Sequence, residues 1–238
     1  MAVLRLSLTV ASFYVERRAE FPKVDPASYF AMLEMLGHSC ERLGFRHVVL
    51  TDELTVGRPE WPADVEPWVG DNVPLPLMRA CTHLQAQIFE SDPASDLLLV
   101  GADSILLADP RPHLPADADL YVTSRRPNER LDAINTGFQF IRQSAAAKVA
   151  TLYRRVADRC GKEWRDDQKA LVAELDPVPL PTVIEERAGL RVAFLPMRRF
   201  NDCPRWPGDS CKDAVLLHFR GRQRKKMMFA WAKRQGLA

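Results

Sequence analysis

Apolar and polar positions alternate near the start of the chain and then change to a helical spacing. The segment VLRLSLTVAS, residues 3–12, alternates and is rich in Val, Leu and Thr, which predicts a strand. Asp25 and Pro26 supply an N-cap and a first-turn proline for a helix, since apolar residues then recur every three or four positions. FRHVVLTD predicts a second strand that ends at Asp52. This β-α-β unit implies neighbouring parallel strands.

The segment from residue 55 to residue 76 breaks this pattern. TVGRPEWPADVEPWVGDNVPLP holds five prolines and two tryptophans, and proline removes backbone donors and restricts the backbone, so no regular element is expected there. Two interpretations remain open. The segment is either a surface connection or a loop over an active site, in which Trp61 and Trp68 would offer stacking surfaces.

Later segments return to regular periodicities. LPLMRACTHLQAQIFE has helical spacing and leads into DLLLV, an apolar run typical of a buried strand. Further strands are predicted at DLYVTS, NTGFQFIR, LRVAFLP and AVLLHF, and further helices from about Ser144 to Cys160 and at DDQKALVAEL. This order predicts a three-layer α/β fold with a mixed, mainly parallel central sheet.

Composition narrows the class of protein. The chain has 238 residues, of which 47% are apolar and 27% charged, and we expect one domain over residues 1–238. No apolar run approaches the roughly 18 residues of a membrane span, and the first residues lack a signal-peptide pattern, so we expect a cytoplasmic protein. The five cysteines lack a Cys-x-x-Cys pair, which favours reduced thiols over a zinc site.

Charge is distributed unevenly. A formal net charge of +2 makes no overall case for nucleic-acid binding, but the segment from His218 to the end contains seven Lys or Arg residues and no acid. Such clusters bind phosphate groups independently of sequence. A solvated basic tail is the alternative interpretation.

Two carboxylates follow predicted strands. Asp52 ends the second strand, and Asp103 follows the apolar run DLLLV. Because open α/β sheets bind ligands at the carboxyl ends of their strands, both side chains are candidates for contact with a ligand or cation. Each could instead cap a turn, and the pattern alone leaves this open.

Four segments together resemble the GT-A fold nucleotide-sugar glycosyltransferases. LLVGADSILLADP is similar to the segment that carries their Asp-x-Asp motif, and AINTGFQFIRQS to the Asn-x-Gly segment of the retaining glycogenin and galactosyltransferase-like families. WRDDQKAL resembles their Asp-Gln segment, and LLHFRGRQRKK their His-x-x-Gly-x-x-Lys motif. The segments occur in the family's order and span most of the chain.

The resemblance implies a GT-A-like fold with a nucleotide-binding half over residues 1–110 and an acceptor half over residues 111–238. It implies a nucleotide-sugar donor, most plausibly a UDP-sugar, transfer with retention, and a divalent Mn²⁺ or Mg²⁺ ion held by Asp103 and His218. Positions near the reacting carbon fall on Asp167, Gln168 and Asn135. Donor-binding positions fall on Ala11, Ser12, Asp52, Arg79, Ala102, Asp103, Thr136, Gly137, Gly221, Arg222, Arg224 and Lys225.

The sequence departs from the family pattern at two positions. Gly101 replaces the first acid of the Asp-x-Asp motif, and the family's lysine falls on Arg224, with Lys225 beside it. Arginine offers a planar fork of donors rather than a compact charge, so the two residues are not equivalent toward a diphosphate. These departures bear on metal use more than on the fold.

Several alternatives stay open at this point. Arg79 could be an ordinary surface residue, and one of Asp166 and Asp167 could simply favour a helix N-terminus. The acceptor is not evident, and a nucleic-acid base, as in DNA modification, stands beside a saccharide or protein. A non-catalytic nucleic-acid-binding protein and a degenerate transferase that binds nucleotide without turnover are the competing functions.

Overall fold

A computed structural model describes residues 8–16, 26–71, 75–91, 94–125, 132–206 and 208–236. The predicted helix cap Asp25 and the first residues of the predicted opening strand lie outside these ranges. The side chain of Arg222 is also outside the described part of the chain.

The elements follow the predicted order, with additions in the proline-rich segment, directly after β4 and before the last strands. The chain forms β1 (Leu8–Phe13), α1 (Pro26–Glu41), β2 (Arg46–Thr51), α2 (Glu53–Val56), β3 (Glu66–Val69), α3 (Leu77–Ser91), β4 (Asp96–Val100), β5 (Ser104–Leu106), β6 (Leu120–Ser124), β7 (Ile134–Ile141), α4 (Ala146–Arg159), α5 (Asp166–Leu175), β8 (Val183–Arg187), β9 (Leu190–Pro196), α6 (Met197–Phe200), β10 (Leu216–His218) and α7 (Arg222–Arg234).

An eight-stranded sheet in the order β3-β2-β1-β4-β7-β6-β9-β8 organises these elements. Within it, β7 and β8 run opposite to the other six strands. The mainly parallel, mixed sheet expected from the sequence is confirmed. The carboxyl ends of β1, β2, β4, β6 and β9 therefore meet at one edge, together with the amino end of β7, and we call this edge the carboxyl edge.

Helices cover both faces of the sheet, which gives three layers. On one face, α3, α4 and α5 pack on alternate strand residues in a cluster that includes Phe89, Val149 and Tyr153. On the other face, α1 contacts α7 and the small antiparallel pair of β5 and β10, through residues such as Met32 and Met228. The small pair lies outside the main sheet and, because β5 follows β4 closely, stands beside the carboxyl edge.

The prediction that residues 55–76 contain no regular element is wrong. Glu66–Val69 forms β3, which pairs with β2 at the edge of the sheet. An edge strand tolerates Pro67 because one side of it has no neighbour that requires the missing N–H. Trp61 packs against Phe30 and donates its indole N–H to a backbone carbonyl, and Trp68 packs against the core. Both tryptophans therefore pack inward.

The structure bears on the state of the cysteines and on the character of the helices. All five cysteines are free thiols. No helix in the described ranges combines the length and the apolar character that crossing a bilayer requires.

Candidate functional site

Asp103 lies at the carboxyl edge, where the chain leaves β4. Gly101, Ala102 and Asp103 form the turn between β4 and β5. The pairing of β10 with β5 places His218 opposite Ser104, and the backbone N–H of Phe219 donates to the Asp103 carbonyl at 2.8 Å. The small antiparallel pair thus brings the last predicted motif beside the first.

Both oxygens of the Asp103 carboxylate face nitrogen atoms. Oδ1 lies 3.1 Å from His218 Nε2, and Oδ2 lies 3.2 Å from Lys225 Nζ. Although burial opposes the charged form, the protonated form of His218 and the Lys225 ammonium hold the pKa of Asp103 well below its usual range. The carboxylate is therefore ionised throughout the physiological pH range, in a site that is shielded but still reachable from solvent.

Lys225, rather than Arg224, is the basic residue that reaches Asp103. Its ammonium donates to the Tyr29 hydroxyl at 2.6 Å and lies 4.2 Å from the centre of the Tyr29 ring. Tyr29 in turn stacks on Tyr14 with ring centroids 5.2 Å apart. The Arg224 side chain is exposed and points to the sulfur of Cys203. The motif lysine is thus shifted by one residue on α7.

A buried hydrogen-bond network lies behind His218. Its Nδ1 is 2.9 Å from Oδ1 of Asn201, which is fully buried. Nδ2 of Asn201 donates to Asn135 Oδ1 at 2.5 Å and to Thr123 Oγ1 at 3.1 Å. Asn135 Oδ1 also accepts the backbone N–H of Gly137 at 3.0 Å. Asn201 was not among the site residues predicted from the sequence, because a single asparagine after a short helix belongs to no recognisable motif.

Three glycines shape this site. A Cβ on Gly101 would lie 2.9 Å from Asp103 Oδ1 and 3.1 Å from His218 Nε2, and a Cβ on Gly137 would overlap the His218 ring. Gly101 and Gly137 therefore let the backbone approach the two side chains closely. Gly221 has a φ of 85° and caps α7, so here glycine serves the backbone conformation that leads from β10 into the helix.

Asp167 lies on the first turn of α5, facing β7. It is partly buried, and burial raises its pKa even though the Thr136 hydroxyl donates to it at 2.9 Å. Gln168 beside it has a buried Oε1 with no hydrogen-bond partner among the described residues. Asp166 instead accepts the backbone N–H of Glu163 and pairs with Lys169, so Asp166 is the acid that stabilises the helix start.

The remaining predicted donor residues are distributed less closely. Ala11 packs in the core, and Ala102 is buried beside Asp103. Asp52 accepts the backbone N–H of Thr55 at 2.9 Å as the N-cap of α2. Arg79 lies 3.6 Å from an acid on α4, at the protein surface. The structure thus gives Asp52 and Arg79 local partners and leaves the Asp103 cluster as the centre of the site.

Ser12 contacts a partly buried histidine on the neighbouring strand. Its hydroxyl lies 3.0 Å from His47 Nε2. Burial lowers the pKa of His47 from 6.5 to about 4. Between these values the unfolded chain binds more protons than the folded chain. The free energy of unfolding is therefore expected to fall, by at most about 1.4 kcal/mol per pH unit, as the pH decreases from 6.5 towards 4.

Chemical denaturation at a series of pH values measures this effect. His47→Gln keeps a hydrogen-bonding group for Ser12 but does not titrate, so its stability should change less over the same pH range. His38→Gln, on an exposed face of α1, serves as the control with the wild-type slope. If the free energy of unfolding changed equally with pH in wild type and His47→Gln, His47 would not be the source of the effect.

An arginine group that the sequence did not single out lies at the same edge. Arg125 follows β6 directly and donates to the backbone carbonyl of Asp132 at 2.6 Å, and Arg165 pairs with the Asp132 carboxylate. Burial, together with Arg220 and Arg165, lowers the pKa of Arg125 to about 10. Arg220 has a buried Nε with no hydrogen-bond partner in the described structure. Positive charge is thus concentrated beside the Asp167 side of the site.

Comparison with known proteins identifies the fold. The sequence matches no protein-family model and no curated protein at a significant level. Among the solved structures that are similar over almost the whole chain are three glycosyltransferases. A glycosyltransferase involved in the glycosylation of the major capsid of PBCV-1 has a TM-score of 0.60 at 15% identity, and the match covers 94% of this chain and 99% of that one.

The other two solved structures also share the fold of this chain. Glycosyltransferase GlyE of Streptococcus pneumoniae TIGR4 gives a TM-score of 0.57 at 11% identity, over 95% of this chain and 60% of GlyE. An active-site mutant of LgtC gives 0.51 at 12% identity, over 94% of this chain and 95% of LgtC. The chain therefore has a GT-A-like fold, as the motifs predicted, and identities this low establish the fold alone.

Proposed function

We propose that this chain is a glycosyltransferase that moves a sugar from a nucleotide-diphosphate donor to an acceptor. The observation that carries the proposal is the cluster of Asp103, His218 and Lys225 at the carboxyl edge of a GT-A-like sheet. This edge is where open α/β sheets bind their ligands. The solved glycosyltransferases compared above share this fold.

The diphosphate would lie beside α7. Lys225 supplies an ammonium, and Gly221 begins the helix, whose free backbone N–H groups and dipole favour an anion at this end. Removal of the sugar leaves charge on the departing diphosphate, and fixed positive groups stabilise that charge without reorganising. Because Lys225 already balances Asp103, it is held in place before the donor arrives.

The donor atoms at this site fit a divalent cation. Asp103 Oδ1 and His218 Nε2 are 3.1 Å apart, and two neighbouring ligands of an octahedral ion with bonds of about 2.1 Å lie about 3 Å apart. Within the described ranges no group of three or more His, Cys, Asp and Glu side chains is arranged for a metal. From the spacing of Asp103 and His218 we propose that these two residues would hold a Mn²⁺ or Mg²⁺ ion. Such an ion would neutralise charge on the leaving group.

The sugar would lie between this cluster and α5. Thr136, Asp167 and Gln168 provide hydroxyl, carboxylate and amide groups there, and the unpartnered Oε1 of Gln168 is an acceptor for a sugar hydroxyl or the acceptor substrate. We propose that the donor nucleotide is UDP and that residues 1–110 bind most of it. Residues 111–238 would bind the acceptor. Transfer with retention remains part of the proposal, and no general base is assigned.

For the acceptor we propose a nucleic acid, in a DNA-modifying reaction. The arginine group at Arg125, Arg165 and Arg220 adjoins the sugar side of the site, and α7 adds exposed basic residues such as Lys233 and Arg234. Lys and Arg bind phosphate backbones through charge, independently of base sequence. A saccharide or protein acceptor would not require this concentration of positive charge.

Thermal unfolding with a panel of ligands tests the proposal. A ligand that binds only the folded state raises the midpoint according to its concentration and dissociation constant. We expect UDP with Mn²⁺ to raise the midpoint more than either alone, and duplex DNA to give a separate shift that weakens with salt. A salt-sensitive shift with DNA and none with any nucleoside diphosphate would instead favour a non-catalytic nucleic-acid-binding protein.

Substitutions on α7 sharpen the test. Lys225→Met should weaken UDP binding by about tenfold or more, because it removes the ammonium expected at the diphosphate. The same change at Lys233, which is exposed near the other end of the helix, is the matched control and should leave UDP binding unchanged. Equal losses in the two variants would show that the helix attracts nucleotide only through its overall charge.

A further inference from the structure

The orientation of the Asn135 side chain is determined by the backbone. The Gly137 N–H donates to Asn135 Oδ1 at 3.0 Å. A backbone amide nitrogen can only donate, so the atom that faces it must be the carbonyl oxygen of the side chain. Asn135 is also buried, with 4% of its surface exposed. The oxygen and nitrogen of this amide are therefore assigned without ambiguity, and the oxygen is directed into the protein.

The orientation of Asn201 follows from that of Asn135. The same Asn135 oxygen lies 2.5 Å from one end of the Asn201 amide, and two carbonyl oxygens would repel each other there. That end of Asn201 must be its NH₂ group, which also donates to Thr123 Oγ1 at 3.1 Å. Thr123 accepts this bond because its own hydroxyl donates to the Asn135 backbone carbonyl at 2.8 Å. The oxygen of Asn201 must then face the opposite way, towards His218.

This orientation decides where the proton of His218 lies. Asn201 Oδ1 is 2.9 Å from Nδ1 of the ring, and a carbonyl oxygen can only accept, so Nδ1 carries the hydrogen. In the neutral ring Nε2 then has an unshared electron pair, directed at Asp103 Oδ1, 3.1 Å away. Two electron-pair donors at this distance are arranged to share a cation.

We infer that Asn135 and Asn201 are positioning residues, which act through His218 by holding its neutral ring in the Nδ1–H form with Nε2 free to bind a cation. The relay runs from the Gly137 N–H through Asn135 and Asn201 to the imidazole. That a cation binds rests on the proposed function, whereas the position of the proton does not. Asn135, which the family resemblance would place against the sugar, has its oxygen fully engaged in this relay.

The tautomer can be measured directly by NMR. Two-bond ¹H–¹⁵N correlation spectra of imidazole rings distinguish a protonated from an unprotonated nitrogen, and a spectrum of His218→Gln assigns the signals of His218. Above the usual titration range of imidazole, we expect wild type to carry its hydrogen on Nδ1. We expect Asn201→Leu, which removes the acceptor, to move the hydrogen to Nε2, where it can bond to Asp103.

Variants at Asn135 separate the relay from a sugar contact. Asn135→Ala frees the Asn201 amide to rotate, so the Nε2–H form should become populated. Asn135→Asp keeps an acceptor for Gly137 and Asn201, so the Nδ1–H form should be retained. If Asn135 instead served mainly as a sugar ligand, neither variant would change the tautomer.

Titration with Mn²⁺ in the presence of UDP supplies a second readout. Loss of the partner that orients a metal-binding histidine typically weakens metal affinity by about 10- to 100-fold, and we expect a loss of this size in Asn201→Leu and Asn135→Ala. Asn135→Asp should recover most of it. Circular dichroism confirms that each variant is folded.

The outcomes distinguish the two proposals. If the tautomer changes as expected but wild type does not bind Mn²⁺ with UDP, the relay is supported and the proposed function fails. If wild type binds Mn²⁺ with UDP, and both the tautomer and the affinity are unchanged in folded Asn201→Leu and Asn135→Ala, the relay is overturned and the proposed function stands.

Discussion

Asp103→Asn is expected to reduce sugar transfer and donor hydrolysis by about 10³-fold, because the carboxylate is central to the charged cluster. Asparagine has nearly the same shape but no charge. It would leave the Lys225 ammonium, which is mostly buried, without its carboxylate, and would offer His218 a neutral neighbour. The site would then lose both a cation ligand and the charge that holds Lys225 in place.

Initial rates of nucleotide release from a UDP-sugar, with and without Mn²⁺, measure this effect. Asp109→Asn is a suitable control, since that acid lies in the following loop and pairs with Arg111. A folded Asp103→Asn protein that retains more than about a tenth of the wild-type rate would contradict the assignment of Asp103 to the reaction centre.

Gly137→Ala is expected to have the second largest effect, a loss of about 10²-fold in donor binding. The added methyl group would overlap the His218 ring and press on Asn135 Oδ1 at 2.9 Å. Gly137 lies within β7 and is not among the glycines with positive φ, so alanine is compatible with its backbone. The imidazole must therefore move, and disorienting a metal-binding histidine typically lowers metal affinity by about 10- to 100-fold, which would weaken binding of UDP with Mn²⁺.

The UDP dissociation constant in the presence of Mn²⁺, measured by calorimetry, checks this expectation. Gly208→Ala provides a matched control, because its Cβ would come no closer than 3.5 Å to any neighbour. We expect that control to bind UDP like wild type. Normal UDP binding in Gly137→Ala would mean that the His218 ring can move without consequence for the donor.

Much of the scaffold could be predicted because its elements have strong local signals. The alternating apolar start and the helical spacing after Pro26 produce β1, α1 and β2, and the continuous run DLLLV produces β4. Asp103 follows that run, and the motif order placed His218 near it. In the structure the two side chains lie in contact. The order of the motifs was enough to predict this, without knowledge of the pairing of β5 with β10 or of the layers.

Three strands, β3, β5 and β8, escaped prediction, and β5 did so because it is only three residues long. β3 lies in a proline-rich segment, and its pairing is a property of the sheet edge that no local pattern reveals. β8, with the sequence VIEER, is an outer strand paired with β9 alone in the main sheet. An edge strand that is largely solvated needs little apolar alternation, so the usual signal is weak.

The fine structure of the site also depended on tertiary contacts. Motif spacing pointed to Arg224, but the direction in which α7 leaves Gly221 brings Lys225 to Asp103. Asn201 is a single residue that becomes important only because β10 and β7 bring His218 and Asn135 to either side of it. Such residues carry no spacing signal in one sequence.

The close approach of Gly101 to its neighbours limits how the site can be altered. Even a single carbon at position 101 would crowd Asp103 and His218 at once. An aspartate at position 101 would therefore not simply add a ligand, because the two existing groups would first have to give way. A side chain at this position is compatible with the site only if residues around the histidine change with it, so a single substitution here is expected to disturb the site rather than extend it.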